Sequence, residues 1–308
     1  MKKMIALILS VVLLFSLTAC GSGTDEANSR TQLEGDSEKT ASTVEPPVVS
    51  SPAKEKDEIY SLPETTIVDD ENCTFIIKGI KETAYSVEVS AFCENKTDAL
   101  LMFALDNVVV NGYMNDPFWA TEVAAGKKEN ATIEFYKETS SISLDQIDEL
   151  RFDLYVYDSE NWDAPRMIED SFVLYPTGLS ADTFVRQERE THDGEVVISD
   201  DENGTFIICS ADPDYDFGYT LKVFIENKTD KTMMFSWDDV SVNGYMADPF
   251  WGCSVASHSC ALTEINFLTQ LKDNGIEDVE EIEFRLRMSD YDSMGDLVYV
   301  NDVFSYMP

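Results

Sequence analysis

Short apolar and alternating runs follow one another along most of the chain, and no segment carries the long stripe of a helix. Ile67-Val68, Cys73–Ile77, Tyr85–Cys93, Leu101–Leu105, Val108–Val110, Ala131–Phe135, Leu150–Tyr157 and Ser171–Tyr175 read as strands. So do Val197-Ile198, Thr205–Cys209, Phe217–Ile225, Met233–Trp237, Val240–Val242, Thr263–Phe267, Ile282–Met288 and Val303–Met307. The alternation is clearest in Phe217, Tyr219, Leu221, Val223 and Ile225, which puts one side of that strand against a core. Asn111-Gly112, Asn203-Gly204 and Asn243-Gly244 offer residues that accept positive φ, as tight hairpins require. Ser143–Ile147 and Gly275–Val279 are each expected to make one helical turn, with Ser143 as a cap.

The second set of runs copies the first. Asn95–Ala120 returns at Asn227–Gly252 with 17 of 26 positions identical at an offset of 132 residues, and the offset continues through Phe135/Phe267, Phe152/Phe284 and Phe172/Phe304. Whole folded units are therefore repeated. The spacing predicts module 1 at 60–176 and module 2 at 190–308, joined by a polar linker at 177–189, each long enough for its own core. Seven or eight short strands per module with antiparallel turn chemistry predict an all-β chain of two antiparallel β-sandwiches, with a small closed barrel as the competing architecture.

The beginning of the chain differs. Lys2 and Lys3 precede the apolar run Ile5–Leu17, which is shorter than the roughly 20 residues that span a bilayer and stops at Cys20. Residues 1–19 read as a signal peptide. Leu17-Thr18-Ala19-Cys20 resembles the lipobox of bacterial lipoproteins, which implies lipid attachment at Cys20 and an extracytoplasmic address on the outer face of the cytoplasmic membrane. Residues 20–59, rich in Ser, Thr, Glu, Lys and Pro and without a hydrophobic period, read as a disordered tether. A formal charge of -37 repels phosphate backbones, so nucleic acid is not an expected partner. Together with the tether, Glu94-Asn95-Lys96-Thr97 closing one strand and Val110-Asn111-Gly112 opening a hairpin resemble the immunoglobulin-like modules of uncharacterised surface lipoproteins of Gram-positive bacteria. That resemblance implies a non-catalytic extracytoplasmic module and brings no ligand or catalytic residues with it.

The candidate chemistry is sparse. Without Cys20 the chain has Cys73, Cys93, Cys209, Cys253 and Cys260, an odd number. Cys73 with Cys93 and Cys253 with Cys260 are the candidate disulfides, although the repeat counterparts Gly204, Ile225, Thr121 and Lys128 show that the fold does not require them. Asp212, Asp214 and Asp216 alternate like a calcium loop, but Phe217 stands where glycine is needed and Val223 where glutamate is needed. His192 and His258 form no zinc pattern, and no nucleophile elbow, metalloprotease motif or phosphate loop occurs, so neither enzyme nor cofactor is expected. Asp106/Asp238, Asp116/Asp248 and Asp158/Asp290 recur beside turns, where carboxylates accept backbone N–H groups.

The repeated Asn-Gly-Tyr-Met-x-Asp-Pro-Phe-Trp segment admits two readings. As structure, its aromatic residues close one end of each module. As a binding surface, Tyr113, Asp116, Phe118 and Trp119, with Tyr245, Asp248, Phe250 and Trp251, engage a carbohydrate or an extracellular protein. The expected function is cell-surface binding or adhesion; a structural envelope spacer is the alternative, followed by an accessory or inhibitor of a secreted enzyme.

Overall fold

Strand-forming alternation over most of its length gives the chain an all-β architecture of sheets that are antiparallel but for one bridge, and none closes into a barrel among the described residues. The computed structural model describes residues 59–137, 144–161, 163–213 and 218–308. The signal peptide, Cys20 and nearly all of the tether lie outside the described residues, as do Ser143, Asp214, Asp216 and Phe217. No helix among the described residues is long and apolar enough to cross a membrane.

The first half contains β1 (Thr65–Asp69), β2 (Cys73–Glu82), β3 (Ser86–Asn95), β4 (Leu101–Val110), β5 (Tyr113–Met114), β6 (Ala120–Val123), β7 (Lys128–Tyr136), β8 (Leu150–Asp158) and β9 (Ile168–Leu174). The second repeats them in order as β10 (Val196–Asp200), β11 (Gly204–Asp212), β12 (Thr220–Asn227), β13 (Met233–Val242), β14 (Tyr245–Met246), β15 (Gly252–Val255), β16 (Cys260–Asn266), β17 (Ile282–Asp290) and β18 (Val298–Tyr306). A four-residue helix, α1 (Gln270–Asp273), precedes β17. The helical turn expected at 275–279 therefore lies earlier, and none forms over the described residues 144–147.

Irregularities repeat along with the strands. Leu101–Leu105 and Val108–Val110 are one strand, β4, carried through a bulge between Asp106 and Val109, and β13 bulges at the corresponding Asp238–Ser241. Asn107 and Asp239 take left-handed backbone there, at φ 47° and 53°. Each is held from the neighbouring strand, Asn107 by Asp153 at 2.7 Å and Asp239 by Arg285 at 3.0 Å. An extra residue in one strand leaves it unpaired and twists the pair, so a retained bulge marks a shape that both copies need. The turns Asn111-Gly112 and Asn243-Gly244 have positive φ at both residues, as hairpin geometry predicts. Asn203-Gly204 does not; Gly204 begins β11 in extended backbone.

Each half buries its own cluster. Phe75, Val87, Val89 and Ile133 from β2, β3 and β7 meet Phe103, Phe152, Leu154 and Val156 from β4 and β8. In the second half, Phe206, Leu221, Val223 and Ile265 meet Phe235, Trp237, Phe284 and Leu286 in the same way. The sheets do not stop at the boundary between the halves. The order β1-β2-β3-β7 stands alone, whereas β10-β11-β12-β16 continues through β5 into β4-β8-β9, with β6 also on β4. The remaining sheet is β14-β13-β17-β18, with β15 on β13. The β16–β5 bridge is parallel, pairs Cys260 with Tyr113, and carries a hydrogen bond from Cys260 N–H to the Gly112 carbonyl at 2.9 Å.

The expected disulfides do not form, and all five cysteines among the described residues are free thiols. On the β2–β3 ladder Cys73 faces Asn95 and Cys93 faces Phe75, so the two sulfurs sit diagonally rather than opposite. Diagonal positions stand farther apart than the roughly 3.8 Å Cβ separation of a disulfide. Cys253 and Cys260 belong to different sheets: Cys253 packs on the second core, and Cys260 lies in a small cluster outside it. Burial pushes the thiols of Cys73, Cys93 and Cys260 up to about 12 and that of Cys253 to about 11. Burial thus disfavours the thiolate, which is the reactive form.

Candidate functional site

The repeated segment divides residue by residue into parts that the fold uses and parts that it leaves outside. Asn111 Oδ1 accepts the N–H groups of Asp148 and Glu149, and Asn243 Oδ1 accepts those of Glu280 and Glu281. Each asparagine thus ties its hairpin to the loop that enters β8 or β17. Trp119 packs partly buried on the first core, 6.0 Å from the Phe75 ring; Trp251 packs on the second, 5.9 Å from Phe206 and 6.1 Å from Trp237. Both tryptophans are therefore packing residues. Asp116 Oδ1 accepts the Phe118 N–H at 2.7 Å, and Asp248 Oδ1 accepts the Phe250 N–H at 2.9 Å. These two carboxylates close turns, as expected of acids beside a proline.

Phe118 and Phe250 do neither job. They are 92% and 96% exposed, and their backbones are left-handed at φ 48° and 46°. A left-handed backbone brings Cβ close to the following carbonyl, at a cost of roughly 1–2 kcal/mol per residue, and an aromatic ring in water recovers none of it. Packing therefore does not account for phenylalanine at these positions. The same strained, projecting ring nevertheless stands at the same place in both copies.

Tyr113 and Met114 part company with Tyr245 and Met246. Tyr113 lies against Ile207, Phe224, Cys209, Leu262 and Cys260 on the outer face of the second half's first sheet, and its hydroxyl donates to the Gln187 carbonyl at 3.1 Å. Met114 packs on the second core, where its Sδ accepts the Ala256 N–H at 3.3 Å. Tyr245 and Met246, with the same sequence around them, are 55% and 67% exposed. The segment 177–189 and the residues after it cover this junction instead of running free. Arg186 bonds Glu226 at 2.5 Å and lies so close to Gly112 that a Cβ there would stand 2.5 Å from Arg186 Cδ. Arg189 stacks 4.7 Å over the Phe224 ring and grips both Glu195 oxygens, which holds the Glu195 carboxyl below its ordinary range.

A cleft of about 550 Å³ opens at the junction, walled by Tyr113, Arg189, His192, Cys209, Lys222 and Glu264. Its walls carry both signs of charge, so it selects for neither anions nor cations. No group of three or more His, Cys, Asp or Glu among the described residues is arranged to hold a metal ion. Of the three alternating aspartates, Asp212 alone is among the described residues.

Alternation along β12 places Leu221, Val223 and Ile225 against a core and says nothing of what covers Phe224 on the other face. The signal of that cover is in the repeat comparison: Lys78, Lys128 and Asn130 of the first copy are replaced by Cys209, Cys260 and Leu262 in the second. Three polar-to-apolar exchanges on one outer face mark a covered face. No protein-family model matches the chain, and no curated protein is significantly similar to it.

Proposed function

We propose that the protein is a non-catalytic, lipid-anchored surface protein whose two tandem immunoglobulin-like β-sandwiches bind an extracellular carbohydrate or protein through Phe118 and Phe250. The observation that carries this reading is the pair of projecting rings, exposed and held on strained backbone at equivalent positions. Exposed aromatic residues concentrate binding energy at interfaces and stack on sugar faces. Strained residues that the fold over-determines cluster at functional sites. Two such rings on one chain also give avidity. Anchoring through Cys20 at the outer face of the cytoplasmic membrane rests on the leader and the Leu17-Thr18-Ala19-Cys20 tetrapeptide. Mass spectrometry of the membrane-extracted protein tests that part, and an unmodified Cys20 behind a retained leader would refute it.

The test of the binding surface is the double variant Phe118→Gly/Phe250→Gly. Glycine accepts the left-handed backbone, so stability should stay within about 1 kcal/mol of the unaltered chain. Binding on a glycan array and to a panel of purified secreted proteins should be lost, and each single variant should retain a weakened signal. A spacer is the second reading, favoured by the sheet that runs without a break from β10 to β9 and so stiffens the joint between the halves. Binding that survives the double variant would remove these rings from the binding surface, and an unaltered chain that binds nothing on either panel would favour the spacer.

A further inference from the structure

The junction between the two halves is a heterologous interface, and the structure holds a second, unjoined copy of both its parts. Within the chain, β5 seats on β16. Among the described residues, the counterpart of β5, β14, ends its sheet, and the counterpart of β16, β7, ends another. We propose that chains associate head to tail, β14 of one copy seating on β7 of the next as β5 seats on β16.

The residues that make the internal contact have counterparts suited to the same geometry. Met114, which accepts the Ala256 N–H, corresponds to exposed Met246, and Ala256 corresponds to Ala124. Tyr113 rests on Phe224; the corresponding ring is the partly exposed Phe92, with Lys78 and Lys128 ammonium groups 5.2 and 5.9 Å from its centre. An incoming Tyr245 would therefore meet an aromatic ring with cations over it, as Tyr113 meets Phe224 with Arg189 over it. Charge changes in a matched way as well. Arg151 reaches across the internal junction to the Ser257 carbonyl and to Ser259 Oγ. The residue corresponding to Arg151 is Glu283, and that corresponding to Ser259 is Lys127, both exposed. An acid on one end of the molecule thus comes opposite a lysine on the other end of the next. A contact of this type is heterologous and leaves one open edge of each kind on a growing assembly, so it builds open filaments, or rings where the rotation closes.

Sedimentation velocity on the chain lacking its first 20 residues, under reducing conditions, reads the outcome. The internal junction works at the effective concentration of a tethered partner, so free copies should assemble as protein approaches about 1 mM, with species beyond the dimer. Tyr245→Ser/Met246→Lys alters only exposed side chains and should shift the association midpoint at least tenfold upward. Lys127→Glu should weaken association, and Lys127→Glu/Glu283→Lys should restore it. A chain that stays monomeric throughout, or assembly that persists in Tyr245→Ser/Met246→Lys, would overturn the proposal. So would assembly that appears only after residues 21–58 are removed, because the tether would then be the occupant of the β7 edge.

Discussion

Asn95 and Asn227 show how much of the repeat is internal scaffolding. Asn95 is buried, donates through Nδ2 to the Ala99 and Val123 carbonyls at 2.8 and 2.7 Å, and accepts the N–H and hydroxyl of Thr97. Asn227 makes the same set with Lys231, Val255, Ala256 and Thr229. Replacing either by alanine strands buried carbonyls, each at about 1–3 kcal/mol, so denaturant titration should show a loss of roughly 3 kcal/mol or more. An unchanged midpoint would show that water fills the gap. Trp119→Ala and Trp251→Ala should each cost about 3 kcal/mol through lost ring packing, while the neighbouring Phe118→Gly and Phe250→Gly should not. One step along the chain thus separates a packing residue from a projecting one.

Strand pairs are pinned by short ion-paired turns that recur in both copies. Lys96 bonds Asp69 at 2.5 Å and the Asp70 carbonyl at 2.6 Å, tying the β1–β2 hairpin to the end of β3. Lys228 does the same with Asp200 and the Asp201 carbonyl for β10–β11. The lysine hydrogen bonds hold the Asp69 and Asp200 carboxyls below their ordinary range, and Lys231 acts likewise on Asp290 at the end of β17. A lowered folded pKa means that the unfolded chain takes up protons first. The stabilisation is therefore complete above the unfolded value near 3.9 and disappears as pH falls through the lowered folded values. Melting temperature should drop as pH is taken from 5 to 2, and Lys96→Met/Lys228→Met should flatten that slope. A slope identical in the variant would remove these pairs from the account of acid stability.

Two cores joined by one continuous sheet make the halves related but unequal partners. Nearly every residue in each core comes from its own half, and Met114 is the exception that crosses. Expressed separately, residues 60–176 and 190–308 should each unfold cooperatively, because each core is built from its own half apart from the half-buried Met114. The second fragment should melt at a lower temperature than it does in the intact chain. Without Tyr113 and Met114, the outer cluster of Ile207, Phe224 and Cys260 loses its cover. A fragment that fails to fold would show that the halves share one cooperative unit.

The 132-residue offset, the strand runs and the inward face of β12 could all be read from period and repetition, because alternation reports directly on which side of a strand meets a core. The short strands β6 and β15 leave no readable trace in the sequence, because four residues carry too little pattern. The cysteines stay unpaired against expectation because separation along the chain says nothing of sheet or face. The repeated aromatic segment was recognised as special, yet its two readings could not be divided: Phe118 and Trp119 are neighbours of similar hydrophobicity, and the left-handed backbone at Phe118 sends one ring outward while the next packs inward. Tyr113-Met114 and Tyr245-Met246 mark the limit most clearly. Identical dipeptides in identical hairpins have opposite environments, because burial belongs to the neighbour that a surface meets, and within one chain only the first hairpin has a second module to meet.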